Sequence, residues 1–307
     1  MKCIKLREVS LWYVSGASIS TCEIMEYKLK VIEPYRGIKN YINAVLDNET
    51  RDMDGLWLKY AIEPFWNDWA AGQFNEQRIR DDMSRPVTDV VKLKKSIEGL
   101  EAFGIEVLLR RKYRVISEML PPPESDKIVC IYPNIWLDQS VHGVVGTCVG
   151  ENILIQINPA VDGWEKYLPW VLAHECNHTV WGYNYFYLQG NKFQDLLTSI
   201  ISEGLADSFA KAVCPDLTPS WIKALTTEQE YQQWKTLQEY LSLEDNMELH
   251  HRFFFGDIKT GTPAFTGYTI GFQIVQKYLS FYPGTSWKAL IKMDSREIFQ
   301  KSGYFLE

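Results

Sequence analysis

Two of the five histidines in this 307-residue chain stand four apart, in Leu172-Ala173-His174-Glu175-Cys176-Asn177-His178. On a helix that spacing puts both side chains on one face about a turn apart, which is metal-ligand geometry. Glu175 follows the first histidine and can reach a water on the same metal without being a ligand itself. Cys176, at i+2 from His174, points to the other side of the helix. The alternative is a helix with one satisfied core histidine and one exposed one.

A second segment bears on that choice. Residues 191–213 have helical periodicity, with Phe193, Leu196, Leu197, Ile200, Ile201, Leu205 and Phe209 as the apolar positions, yet Glu203 and Asp207 sit among them. Carboxylates on a buried face need partners. Glu203 lies 25 residues after His178, enough for the first helix to end near Gly182, an aromatic loop to turn, and a second helix to pack back. Glu203 then completes a tetrahedral His, His, Glu site whose fourth position holds water. Asp207, one turn further on, is placed to accept the free ring N–H of one histidine and fix its tautomer. Gly204 between them lets the two helices approach closely. The competing reading makes Glu203 and Asp207 solvent-facing acids balanced by Lys211.

The rest of the chain supplies a frame. IVCIYP (128–133) and NILIQIN (152–158) are β-branched runs bounded by turn formers and read as strands. GVVGTCVG (143–150) is expected to pair with the second of them across Gly150 and Glu151, leaving one strand near the sheet edge. Helices are expected over 169–180, 227–243 and 268–281. Residues 1–120 read as a mainly helical N-terminal region, clearest over 35–46 and 87–103. Pro121, Pro122 and Pro123 then mark a boundary before a second region at 124–307, because three prolines cannot continue a helix. Asp52, Asp54, Asp68, Asp81 and Asp82 read as helix caps and solvated faces.

Lys+Arg 32 against Asp+Glu 39 leaves a net charge of −7, which argues against a nucleic-acid partner. At 46% hydrophobic and 23% charged the chain is globular and not disordered. It has no stretch of 18 apolar residues, and Arg7 and Glu8 interrupt the N-terminal apolar run, so neither a membrane span nor a signal peptide is expected and the default address is cytoplasmic. Six cysteines without CxxC spacing point to reduced, mostly buried thiols.

HECNH followed by SEGLADSFA resembles the gluzincin arrangement, HExxH and then ExxxD on a second helix. It is similar in particular to the bacterial family of predicted zinc-dependent proteases known as domain-of-unknown-function family 2268. GYTIGFQIVQKYL (267–279) resembles that family's closing helix, so the likeness spans roughly residues 128–282. It implies an α+β, zincin-like metallopeptidase domain, with a small mixed sheet above the HExxH helix and the metal between that helix and the Glu203 helix. The HxxGxxH extension of metzincins is absent, which weighs against a third histidine ligand.

The expectation is therefore a Zn2+-dependent hydrolase of peptide bonds. His174, His178 and Glu203 are its metal ligands, Asp207 stands behind them, and Glu175 moves the proton of the activated water. Residues 144–148 would offer backbone groups to an extended peptide or protein substrate. Tyr268 is a candidate donor to the oxyanion, set against a plain packing role. His250, His251 and Arg252 are a weaker candidate for the same task, and His142 reads as a loop histidine. Two rivals remain: a catalytically weak or inactive protein that keeps the peptidase fold and recognises a peptide or protein partner, and a hydrolase of non-peptide amides. Retention of Glu175, which metal binding alone does not need, weighs against the first.

Overall fold

The computed structural model describes residues 28–47, 52–73, 75–123 and 126–305. Cys3, Cys22 and the N-terminal run lie outside them. Four strands, β1 (Lys28–Ile32), β2 (Asp126–Pro133), β3 (Val144–Val149) and β4 (Asn152–Ile157), form one mixed sheet in the order β1-β2-β4-β3. β2 is parallel to both neighbours, which explains its unbroken apolar run from Ile128 to Tyr132. β3 and β4 make the expected hairpin, with Gly150 at φ +59°, and β3 is left at the sheet edge.

The N-terminal helices are α1 (Tyr35–Leu46), α2 (Met53–Trp57), α3 (Glu63–Trp69), α4 (Glu76–Met83), α5 (Val90–Ala102) and α6 (Ile105–Met119). α5 starts at Val90 and not Val87, because Asp89 caps it by accepting from the Lys92 N–H. This region is not wholly helical: β1 hydrogen-bonds to β2, and one hydrophobic core runs through residues on both sides of Pro121–Pro123. Asp52 is a helix cap, accepting from the Gly55 N–H.

After the sheet come α7 (Trp164–Gly182), α8 (Leu196–Val213), α9 (Thr227–Leu237), α10 (Met247–His250), α11 (Thr266–Phe281), α12 (Trp287–Leu290) and α13 (Ser295–Ser302). α7 begins well before Pro169, the expected start. It runs directly into a π-helical turn, Tyr183–Leu188, where an aromatic loop was expected. α8 begins at Leu196 and not Asn191. Asp195 caps it, and residues 194–197 are tied to Leu241, Leu243 and Asp245 by backbone hydrogen bonds. α9 ends at Leu237, short of the expected 243, and the chain passes through local turns before that pairing. Among the described residues no helix is long and apolar enough to cross a membrane. Cys130, Cys148, Cys176 and Cys214 are free, and all but Cys148 are buried.

Contacts run from the sheet through α7 to α8 and on to α11. α8 is buried almost all round, as a helix this apolar must be. Its tightest contact corrects the role expected for Gly204. That glycine does not bring α8 close to α7; it faces α11, where a Cβ would sit 2.1 Å from the carbonyl oxygen of Gly271. Gly271 is equally constrained, since its own Cβ would lie 2.1 Å from the Ile200 oxygen. The obstacle is backbone in both cases, and no rotamer change can move it. Tyr268 lies one turn before Gly271 on the same helix.

Gly204→Ala decides between two opposed effects. Helix propensity alone would stabilise the variant by about 1 kcal/mol. The backbone clash should instead destabilise it by about 1–3 kcal/mol. Denaturant unfolding of the two proteins reads the sign, and a more stable variant would contradict the contact.

Candidate metal centre

α7 and α8 bring together three atoms that could ligate a metal ion. His174 Nε2 and His178 Nε2 are 3.0 Å apart, and Glu203 Oε2 lies 3.1 Å from the first and 3.3 Å from the second. Among the described residues this trio is the group of histidine, cysteine and acidic side chains that could hold a metal ion. All three side chains are mostly but not fully buried, so the cluster keeps an opening to solvent.

Asp207, 0% exposed, stands behind the trio. Its Oδ1 lies 3.0 Å from His174 Nδ1 and also accepts from two indoles, Trp170 Nε1 at 3.0 Å and Trp221 Nε1 at 3.1 Å. A proton on His174 Nδ1 leaves the Nε2 lone pair facing the trio. Lys211, the alternative partner for these acids, turns instead to the carbonyls of Pro215 and Leu217. The two tryptophans were not anticipated. Trp170 had a local signal, one turn before His174 on the same helix face. Trp221 had none, because it arrives from a short 3₁₀ turn, Ser220–Lys223, between α8 and α9.

Glu175 is 5% exposed and points to the edge strand, not to the ligand trio's helix α8. Its carboxylate covers Gly146, where a Cβ would meet Oε1 at 2.6 Å, and it accepts from the Cys148 thiol at 3.2 Å. The Tyr268 phenol, on α11, packs edge-on to Phe254. Burial, and then the charges of Glu203, Asp207 and Glu175, push its pKa well above the usual phenol value. His250 turns away to Asp245, with Nδ1 3.1 Å from Oδ2, and His251 is exposed beside Phe255. His142 is more than a plain loop residue: it has φ +52°, stacks on Tyr167, and accepts from the Ser220 N–H beside Trp221.

Electrostatics in the metal-free protein follow from this packing. Burial alone would lower the His174 pKa from 6.5, but Asp207 and Glu203 outweigh it and hold the value well above that. For Glu203, burial acts to raise the pKa, and His178 and His174 win, holding the carboxyl far below 4.5. His174 therefore contributes stability that is complete below about pH 6.5 and lost as pH rises through its folded pKa, while Glu203 contributes above about pH 4.5 and loses that contribution as pH falls. Chelator-treated protein should accordingly be most stable between about pH 4.5 and 6.5, with the denaturation midpoint falling on both sides. A midpoint that climbs steadily from pH 6 to 9 would contradict the pairing.

Residues 110–300 match the family described as "Predicted Zn-dependent protease (DUF2268)". The likeness thus begins within α6 and extends somewhat beyond both ends of the span suggested by the motifs. "Uncharacterized protein YjfC" of Bacillus subtilis (strain 168) is 27% identical over 148 residues, which is 45% of this chain and 48% of that protein. The chain spans about half the length of that curated relative. No solved structure matches the chain. The match over most of the chain, which takes in α7, α8 and α11, makes it a member of the family of predicted Zn-dependent proteases.

Proposed function

We propose that the protein is a zinc-dependent hydrolase of peptide bonds of the gluzincin type, built on a zincin-like domain within residues 124–307. The observation that carries this reading is the size of the ligand triangle. Ligand atoms about 2.0–2.2 Å from a tetrahedral zinc stand about 3.3–3.6 Å from one another. The three edges here are 3.0, 3.1 and 3.3 Å. Two neutral imidazoles and one carboxylate also suit a borderline-soft cation, and the opening to solvent suits a catalytic site more than a closed structural one. The family's description points the same way.

Zinc bound there would supply a Lewis acid that polarises a carbonyl and acidifies water. The remaining work falls to side chains. Asp207, pinned by Trp170 and Trp221, fixes the tautomer and orientation of His174. Glu175 is the general base: it takes the proton from the attacking water and delivers it to the leaving amine. Tyr268 keeps its proton at neutral pH and donates it as a hydrogen bond to the developing oxyanion. β3, whose outer edge is unpaired among the described strands, offers its backbone groups to an extended peptide.

Glu175→Gln keeps the side chain's size and removes its basicity. Protein never exposed to chelator should carry one zinc per chain by elemental analysis in both wild type and variant. Cleavage of a mixed peptide library, read by mass spectrometry, should fall about 10²-fold to 10⁴-fold in kcat. Equal cleavage by the two proteins would remove Glu175 from the mechanism. A zinc-loaded wild type that cleaves nothing would favour the binding-protein alternative.

Asp207→Ala tests the support behind the ligands. Zinc affinity, measured by competition with a chromogenic chelator, should weaken about 10-fold to 100-fold. An unchanged affinity would leave Asp207 as a packing element for the two tryptophans.

A further inference from the structure

Glu175 is a long side chain whose carboxylate must be held in one orientation to serve as a base, and β3 is built to do this. Residues 146 and 148 lie on the same face of that strand, two apart. Gly146 has no side chain because the carboxylate occupies its place: a Cβ would fall 2.4 Å from Glu175 Cγ and 2.6 Å from Oε1. Cys148 closes the other side. Its Sγ lies 3.2 Å from Oε2 and 3.3 Å from the Glu175 backbone oxygen. Among the described residues this thiol makes the only hydrogen bond to the Glu175 carboxylate.

We propose that Cys148 is a positioning residue for Glu175, its S–H donating to the carboxylate and fixing it over Gly146. The proposal rests on the hydrolase reading given above and assigns the thiol no bond-making step. A thiol donates weakly to neutral acceptors and better to a charged oxygen, so a carboxylate is a fitting partner for it. Burial, and then the charge and hydrogen bond of Glu175, raise the pKa of Cys148 well above the usual thiol value. The sulfur therefore keeps its proton and remains a donor, and is not a nucleophile. Cys176, next to Glu175 in sequence, is also protonated, its pKa pushed up to about 12 chiefly by burial.

One consequence concerns substrate. The strand that seats the base has an outer edge that no described strand pairs with, although the Cys148 carbonyl there is taken by the Asn75 side chain at 2.8 Å, so a peptide docked along the rest of β3 and the carboxylate share one rigid support. Substituting Cys148 should then impair the chemical step and spare substrate affinity.

Cys148→Ala and Cys148→Ser separate loss of the donor from loss of the sulfur. With zinc content unchanged, Cys148→Ala should lower kcat about 10-fold at constant KM, and Cys148→Ser should recover most of that loss through its hydroxyl. Unchanged kcat in Cys148→Ala, equal losses in both variants, or a loss confined to KM or to zinc content would overturn the proposal. The contact itself is read without turnover. The S–H stretching band of Cys148, isolated by infrared difference between the wild type and Cys148→Ala, should move to higher frequency in Glu175→Gln as the acceptor loses its charge. A band that stays in place overturns the proposal even if the protein is a peptidase. Conversely, a band that moves in a protein without peptidase activity locates the failure in the hydrolase reading, which takes the catalytic role of Cys148 down with it.

Discussion

A carboxylate buried without partners would cost the fold several kcal/mol. Asp207 is fully buried in a helix that is itself buried almost all round. Its charge is tolerated because three N–H groups converge on one oxygen: Trp170 and His174 from α7, and Trp221 from the turn after α8. Pairing that one oxygen ties α7 to α8 and to the Ser220–Lys223 turn and sets the tautomer of His174, while Oδ2 is left without a hydrogen-bond partner. Glu203, one turn earlier, is thereby presented to both histidines. His174, His178 and Glu203, the group that could hold a metal ion, come together on the helix pair that Asp207 ties.

Around that helix pair the structure brings in two further walls, each by omitting a side chain. Gly204 and Gly271 let α11, the helix that carries Tyr268, touch α8 backbone to backbone. Gly146 lets Glu175 lie against β3, which carries the Cys148 thiol to the same residue. Bulk at any of these positions would push a wall outward by more than the tolerance of a catalytic constellation, which is well under an ångström. The approach is backbone to backbone at Gly204 and Gly271 and side chain to backbone at Gly146, and each uses the absence of a glycine side chain.

Much of this was legible in the sequence because it is local or periodic. The spacing of His174 and His178 fixes a common helix face, and acids at 203 and 207 in an apolar helix demand partners whatever the tertiary structure. The β3–β4 hairpin was marked by its turn, and the two β-branched runs by their bounds. What escaped was non-local. The role of Gly204 was attached to the wrong helix, because a glycine signals close approach without naming the neighbour. Trp221 and Cys148 reach the site across 14 and 27 residues of chain, and no spacing rule connects either to its acid. The helix start at Leu196 was set by the Asp195 cap and by backbone bonds to residues 241–245, which periodicity does not register. β1 joining the sheet from before the three prolines was equally invisible, since a five-residue strand declares its partner only after folding.

The central claim is that His174, His178 and Glu203 form one metal site. Diffraction data collected on either side of the zinc absorption edge, from crystals of protein never exposed to chelator, test it most directly. The account predicts a single anomalous peak about 2.0–2.2 Å from His174 Nε2, His178 Nε2 and a Glu203 carboxylate oxygen, with a further position open to solvent. A peak held by other residues, or ligand atoms closed on one another by hydrogen bonds with no peak between them, would contradict it.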